Sequence, residues 1–291
     1  MALRPWLIAA RPRTLALSLT PVMVGAALAW AVQRELPVLP VLAALTGSMC
    51  IQMGTNLHND AVDSELGGDG PDRIGPPRVT AMGLLSARKV KLGAVACFAA
   101  SALLGLYLMT VGGWPILLLG VLSIAAGWAY TGGPWPIAYT PLGELFVIVF
   151  FGIGAVGGTY WLCAGNLGAP VLVSGLALGL MTGAVLLVNN HRDAEADARV
   201  GRRTLAIISG PVVTTWIYAA LMLAPFGLLL PIARALPHGH VWPALLALPL
   251  AALLIYKFAY EPRGRGCNRI LVQTVLVQSL FSVLLSMGLV L

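Results

Sequence analysis

Apolar runs of about 20 residues, separated by short polar stretches, recur along the whole chain. They fall near 14–33, 38–58, 92–112, 115–133, 142–163, 170–190, 205–233, 241–257 and 270–290. At a rise of about 1.5 Å per residue, such a run crosses the hydrocarbon core of a bilayer as a helix. The pattern predicts an all-α, polytopic membrane bundle of nine transmembrane helices, with residues 1–291 as one domain. The 205–233 run is overlong and contains Pro211 and Pro225, so a kinked passage is expected there. Gly154/Gly158 and Gly179/Gly183 put small residues four apart, which lets neighbouring helices approach closely. Trp6, Trp30, Trp114, Trp135, Trp161 and Trp242 lie near run ends, where interfacial anchors belong.

Composition agrees with that picture. The chain is 58% hydrophobic and 10% charged, against about 25% charged in soluble domains. Its net charge of +7 raises the question of nucleic acid. The basic residues, however, sit between apolar runs, so the lipid surface accounts for them and no nucleic-acid partner is expected. Cys50, Cys97, Cys163 and Cys267 form no CxxC pair and read as packing residues. Arg4, Arg11 and Arg13 ahead of Leu15–Val32 look like the front of a signal peptide. That run is long enough to span, and eight more follow, so it is expected to be the first span.

Charge placement tests the topology. With the amino terminus in the cytoplasm, every basic residue except Arg34 and Arg234 falls on the cytoplasmic side, as the positive-inside rule asks. The chain is therefore expected in the cytoplasmic (inner) membrane with its amino terminus inside. The acidic residues share that side, apart from Glu35. Two acidic stretches stand out. In Asn189–Asp197, Asp193 and Asp197 are four apart and share one helix face. In Asn56–Asp63, an amide again precedes spaced aspartates, with Asp69 and Asp72 just beyond. Both close an apolar run, and carboxylates at membrane depth signal function. Four spans separate them, which is compatible with parallel halves near 1–140 and 141–269 plus a final helix.

Two carboxylate clusters facing one cavity would repel without cations between them. Oxygen donors select a hard ion, and Mg²⁺ is held by one or two carboxylates plus substrate phosphates. Arg73 and Arg78 follow the first cluster, while Arg192, Arg202 and Arg203 flank the second, and guanidinium suits phosphate. A site walled by apolar helices points to a lipid diphosphate. Mg²⁺ and arginine would stabilise a departing diphosphate. Tyr130, Tyr139, Phe150, Phe151 and Tyr160 are candidates to face the resulting allylic cation, or to pack and anchor. Asp60, Asp72 and Glu195 are open between metal ligation and water-facing roles. His58 and His191 are open between supporting the site and packing helices. Glu144 reads as structural, with acceptor binding as the alternative.

The residues resemble the UbiA superfamily of intramembrane prenyltransferases, and within it the 1,4-dihydroxy-2-naphthoate polyprenyltransferase branch of menaquinone biosynthesis. The resemblance rests on Arg11-Pro12-Arg13-Thr14-Leu15, on the first acidic motif continuing through Gly67, Asp69 and Asp72–Arg78, on Tyr130–Pro134, on Leu142-Gly143-Glu144, and on the second motif extending to Gly201–Ala206. It implies a nine-span bundle whose central cavity opens to the cytoplasmic face and laterally to lipid. It implies transfer of a polyprenyl chain from polyprenyl diphosphate to 1,4-dihydroxy-2-naphthoate with decarboxylation, giving demethylmenaquinone. By position it assigns Asn59, Asp63, Asp193 and Asp197 to Mg²⁺. The superfamily's last aspartate of the first motif falls on Gly67, and Asp69 substitutes for it. Arg73, Arg78, Arg192 and Arg202, with Lys91 or Lys89, then bind diphosphate, and Asn190, Tyr130 and Tyr139 complete the substrate site. The chain departs from the branch at His58 and Ala61.

Besides a catalytically silent lipid-binding homologue, two rival readings are compatible with parts of this pattern. One is transfer to another acceptor such as 4-hydroxybenzoate. The other is an ion-coupled transporter, which should carry acids through the membrane depth and onto both faces; the one-sided acids here argue against it.

Overall fold

The computed structural model describes residues 3–65, 74–236 and 240–291. It is built from helices throughout, and no strand occurs among the described residues. A short helix α1 (Leu3–Ala10) ends where Arg11 takes a left-handed conformation, φ 52° and ψ 66°. That corner launches α2 (Pro12–Gln33), with Pro12 at the first helical position, where its missing N–H costs nothing. Next come α3 (Val38–Glu65), α4 (Ala87–Gly112) and α5 (Trp114–Ala129). A broken passage follows: α6 (Gly143–Val147), a π-helical turn over Ile148–Gly154, and α7 (Ala155–Ala164). The remaining elements are α8 (Ala169–Arg199), α9 (Leu205–Ala235), a 3₁₀ turn Trp242–Ala247 running into α10 (Leu248–Tyr260), and α11 (Cys267–Val290).

Among the described residues, eight passages are long and apolar enough to cross a membrane, and the ninth run is a shorter helix. The expected 115–133 span stops at Ala129 because the chain turns through Gly132 and Gly133, the latter at φ 80°, ahead of Pro134. The kink expected near Pro211 is present: Gly210 leaves the helix at φ 69° and ψ 171°. The described residues thus hold nine apolar helical passages, eight of them full-length.

Helix α8 is the central post. In its most apolar window 72% is buried, against 22% for α3 and for α4. The main apolar core joins α2 and α7 to α11 around it. The spaced glycines do what the sequence suggests. Gly179 of α8 meets backbone atoms of Ile148 and Gly152 in the π-helical turn and Gly183 meets the Ile148 side chain, while Gly154 and Gly158 admit Leu119 of α5; Gly175, outside the expected pairs, meets the backbone of Gly152 and Ile153. Buried polar pairs add interhelical hydrogen bonds: Gln278 Nε2 donates to Thr20 Oγ1 at 2.9 Å, and the Tyr218 and Thr274 hydroxyls lie 2.8 Å apart. Trp114 and Trp135 are exposed like interfacial anchors, whereas Trp161 donates its indole N–H to Gly112 O at 2.8 Å. All four cysteines are free.

Between α2–α8 and α11 lies one cavity of about 1350 Å³. On α3 its wall is the stripe Ala44, Gly47, Ser48, Ile51, Gln52, Thr55, Asn56, Asn59 and Asp63, which is one helix face at the period of 3.6. From Ala44 to Asp63 that stripe runs about 28 Å along the helix axis, close to the thickness of a bilayer core. One end is polar, with Asp63, Asp193 and Asp197; the other is closed by Leu108, Ile116 and Leu162.

Candidate active site

The polar end of the cavity forms where α3 and α8 finish. The last turns of both helices carry the acidic motifs, so helix periodicity brings Asn59 and Asp63 to one wall and Asn189, Asn190, Asp193 and Asp197 to another. Arg202, in the turn after α8, ties the walls together. Its Nη2 donates to Asp63 Oδ1 at 2.7 Å and its Nη1 to Asp197 Oδ1 at 3.0 Å. The guanidinium lies over the Tyr139 ring, 5.1 Å from its centroid. Burial disfavours the arginine's charge, and the Asp63 and Asp197 carboxylates more than offset that, holding its pKa above the ordinary range.

Arg78 reaches the other Asp63 oxygen at 2.5 Å and Asn59 Oδ1 at 3.4 Å. Its loop is held by Asp60, which is 1% exposed. Asp60 Oδ2 accepts from Val79 N at 3.1 Å, and Oδ1 accepts from Thr80 N at 3.1 Å and Thr80 Oγ1 at 2.5 Å. Both oxygens are committed, so Asp60 is a loop clamp. Asp60→Ala is expected to lower stability by about 1–3 kcal/mol. It should also expose the loop before α4 to protease, read as earlier cleavage and a lower unfolding temperature in detergent.

Arg192 is spent locally. Its Nε and Nη2 grip both oxygens of Asp193 at 2.8 and 2.5 Å, Nη2 reaches Asn189 Oδ1 at 2.9 Å, and Nη1 reaches Asn268 Oδ1 at 2.8 Å. Asn268 Nδ2 in turn donates to Ile74 O at 3.1 Å, closing a ring from α8 through α11 to the loop before α4. Arg192 therefore fixes Asp193. Asn190 Nδ2 donates to Glu144 Oε1 at 2.9 Å.

The other residues singled out from the sequence divide plainly. Tyr130, Phe150 and Phe151 line the cavity; Tyr139 lies behind Arg202, and Tyr160 belongs to the main core. Burial, then the Glu144 charge, raises the Tyr130 pKa. Lys91 is not brought to the site: it pairs with Glu65 at 2.6 Å on the outer surface. Glu195 is exposed. His58 packs 5.7 Å from Trp128 and His191 4.9 Å from Phe258, and neither lines the cavity. Asp69, Asp72 and Arg73 lie outside the described residues. Sequence reasoning missed Asn268, which no motif marks, and the place of Arg11 in the cavity wall, which only its left-handed corner reveals.

Among the described residues, no three His, Cys, Asp or Glu side chains form a ready-made metal centre. Mg²⁺ takes one or two carboxylates and completes its shell with phosphate oxygens and water. Asp63, Asp193, Asp197 and Asn59 offer it oxygen only, and each carboxylate is held by arginine. The arrangement can compensate a dense anion delivered to this spot, with a deep apolar chamber below it.

Residues 18–283 match the UbiA prenyltransferase family. The chain belongs to that family. It is 33% identical to the 1,4-dihydroxy-2-naphthoate octaprenyltransferase of Haemophilus influenzae, over 99% of this chain and 96% of the other. It is 36% identical to the protein of the same name from Escherichia coli strain K12, over 75% of this chain and 72% of the other. Its fold matches a UbiA homolog from Archaeoglobus fulgidus bound to DMAPP and Mg²⁺, with TM-score 0.72, 14% identity and 98% of each chain covered. This UbiA-family chain is thus an integral membrane prenyltransferase with a helical fold.

Proposed function

We propose that this protein transfers a polyprenyl chain from its diphosphate to 1,4-dihydroxy-2-naphthoate, displacing the acceptor's carboxylate, in the cytoplasmic membrane with the polar mouth facing the cytoplasm. The observation that carries the reading is Arg202, which joins Asp63 of the first motif to Asp197 of the second at the mouth of an apolar cavity. The naphthoate octaprenyltransferases among the relatives support the acceptor, and the DMAPP and Mg²⁺ of the Archaeoglobus homolog support the donor and ion.

Asp63, Asp193, Asp197 and Asn59, with Asp69, would hold Mg²⁺, which when bound neutralises charge on the diphosphate. Arg78 and Arg202, with Arg73, donate to phosphate oxygens, a pairing guanidinium makes strongly. The bond from the allylic carbon to oxygen breaks and its electron pair leaves with the diphosphate. The ring carbon bearing the carboxylate attacks the allylic carbon. Its bond to the carboxylate then breaks, the electron pair returns to the ring, and carbon dioxide departs. No net proton is lost, and the product is demethylmenaquinol, the hydroquinone form of demethylmenaquinone. Phe146 and Phe150, stacked with centroids 6.0 Å apart on the cavity wall, offer faces to the cation, and the apolar wall limits quenching by water.

The test is mass spectrometry of products made by purified protein from 1,4-dihydroxy-2-naphthoate and a set of prenyl diphosphates with Mg²⁺. The expected product carries the prenyl group and lacks carbon dioxide, and EDTA abolishes it. A product formed only from 4-hydroxybenzoate overturns the acceptor assignment, and no prenylated product from either overturns the reading.

A further inference from the structure

Behind Asn190, one turn below the carboxylates, sits a buried carboxyl group that the proposed transfer does not use. Glu144, at the start of α6, is 3% exposed, yet no cation pairs with it among the described residues. Its Oε1 accepts from Asn190 Nδ2, and its Oε2 is buried without a hydrogen-bond partner. A carboxyl group buried beside apolar helices is costly, and a fold retains one there for what it positions.

What it positions is the Asn190 amide. An acceptor oxygen at Glu144 fixes which way that amide faces, because only the NH₂ group can donate to it. The amide oxygen is then left on the other side, and Asn190 lines the cavity. Tyr130 and Thr131 line the same zone, and the Thr131 Oγ1 is buried with no hydrogen-bond partner. Phe146, two residues beyond Glu144, and Phe150 add the stacked aromatic wall. Asn190 precedes Asp193 by three residues, about 4.5 Å along α8. A group docked on Asn190 therefore sits just beneath the diphosphate end, where an allylic carbon would lie.

We infer that Glu144 is a positioning residue for the acceptor: it holds the Asn190 amide so that its oxygen takes the hydroxyl hydrogen of a hydroxylated aromatic ring lying against Phe146 and Phe150. The inference rests on the proposed prenyl transfer and adds the subsite that aims the ring at the allylic carbon. Hydrogen bonding through the hydroxyl also leaves more electron density on the ring that must attack.

The test is steady-state kinetics of Glu144→Leu, Glu144→Gln and Asn190→Ala, each substrate titrated at saturating concentration of the other. In parallel, the wild type and each variant receive the acceptor with one or the other hydroxyl methylated. Glu144→Leu is expected to raise the acceptor KM about tenfold or more, the loss of roughly one hydrogen bond, with the prenyl diphosphate KM changed less than about twofold. Glu144→Gln, whose side-chain oxygen still accepts from Asn190, should recover most of that loss. Wild type should prefer the free hydroxyl over its methyl ether, and Glu144→Leu and Asn190→Ala should erase the preference. Both KM values rising together, or an unchanged preference, overturns the inference and assigns Glu144 a packing role. If Glu144→Leu fails to fold, Glu144→Gln and Asn190→Ala carry the same comparison. Absence of prenyl transfer in wild type instead strikes the parent reading, a separate result.

Discussion

Replacing Asp63 by asparagine is expected to lower prenyl transfer by more than about a thousandfold while the protein still purifies as a folded monodisperse species. The side chain keeps its size and one acceptor oxygen, so Arg78 or Arg202 retains a partner, but the negative charge that both arginines and a divalent ion need is gone. Asp63→Ala should differ in kind. It removes both acceptors from two arginines whose side chains are 4% and 15% exposed. Breaking a buried pair by deleting one partner costs about 3–5 kcal/mol where the surviving charge is stranded; Arg202 keeps Asp197 and Arg78 keeps Asn59, so a smaller loss is expected here. The alanine variant should therefore lose stability as well as activity, read as a lower unfolding temperature in detergent beside the rate assay. If Asp63→Asn transfers prenyl groups at a tenth of the wild-type rate or better, the carboxylate is structural only, and the assignment of Asp63 to the ion fails.

Much of this site is legible along the chain, because helix periodicity alone puts Asp193 and Asp197 on one face and joins Asn59 to Asp63. Hydropathy places the spans, and the Gly210–Pro211 break is visible as a proline in an overlong run. What a chain read in order does not hold is which faces meet. Arg78 finds Asp63 fifteen residues away, Asn190 finds Glu144 across forty-six, and Arg202 finds Asp63 across one hundred and thirty-nine. Lys91 shows the converse: its charge suits diphosphate, but its place near the start of α4 points it to Glu65 at the end of α3. The cavity wall had a signal that hydropathy averages away. Gly47, Ser48, Gln52, Thr55 and Asn56 repeat as small or polar residues on one side of α3, and that side faces the chamber. Helix α5 is short for a local reason, the glycine turn at its end, which an apolar count that includes glycine runs straight through.

A second large effect is expected far from the charges, at Gly179. A methyl group there would lie 2.6 Å from the Ile148 carbonyl oxygen and 3.0 Å from the Ile148 Cα, both backbone atoms of the π-helical turn. Neither can rotate away, so α8 must move off the turn that it packs against. Overpacking of this sort costs about 1–3 kcal/mol for alanine and more for valine. The consequence for chemistry is larger than the stability loss, because the same helix carries Asn190, Asp193 and Asp197 to the cavity. A displacement of about 1 Å at reacting groups costs about a hundredfold in rate. Gly179→Val is thus expected to cut transfer by about two orders of magnitude or to prevent recovery of folded protein. Gly183→Ala, one turn on, is the internal control. Its added methyl meets Ile148 side-chain atoms at 3.3 and 3.5 Å, which can yield, so stability should change by less than about 1 kcal/mol and the rate by less than about threefold. Equal tolerance at both positions, measured by unfolding temperature and initial rate, would mean that the contact between α8 and the π-helical turn does not set the register of the site.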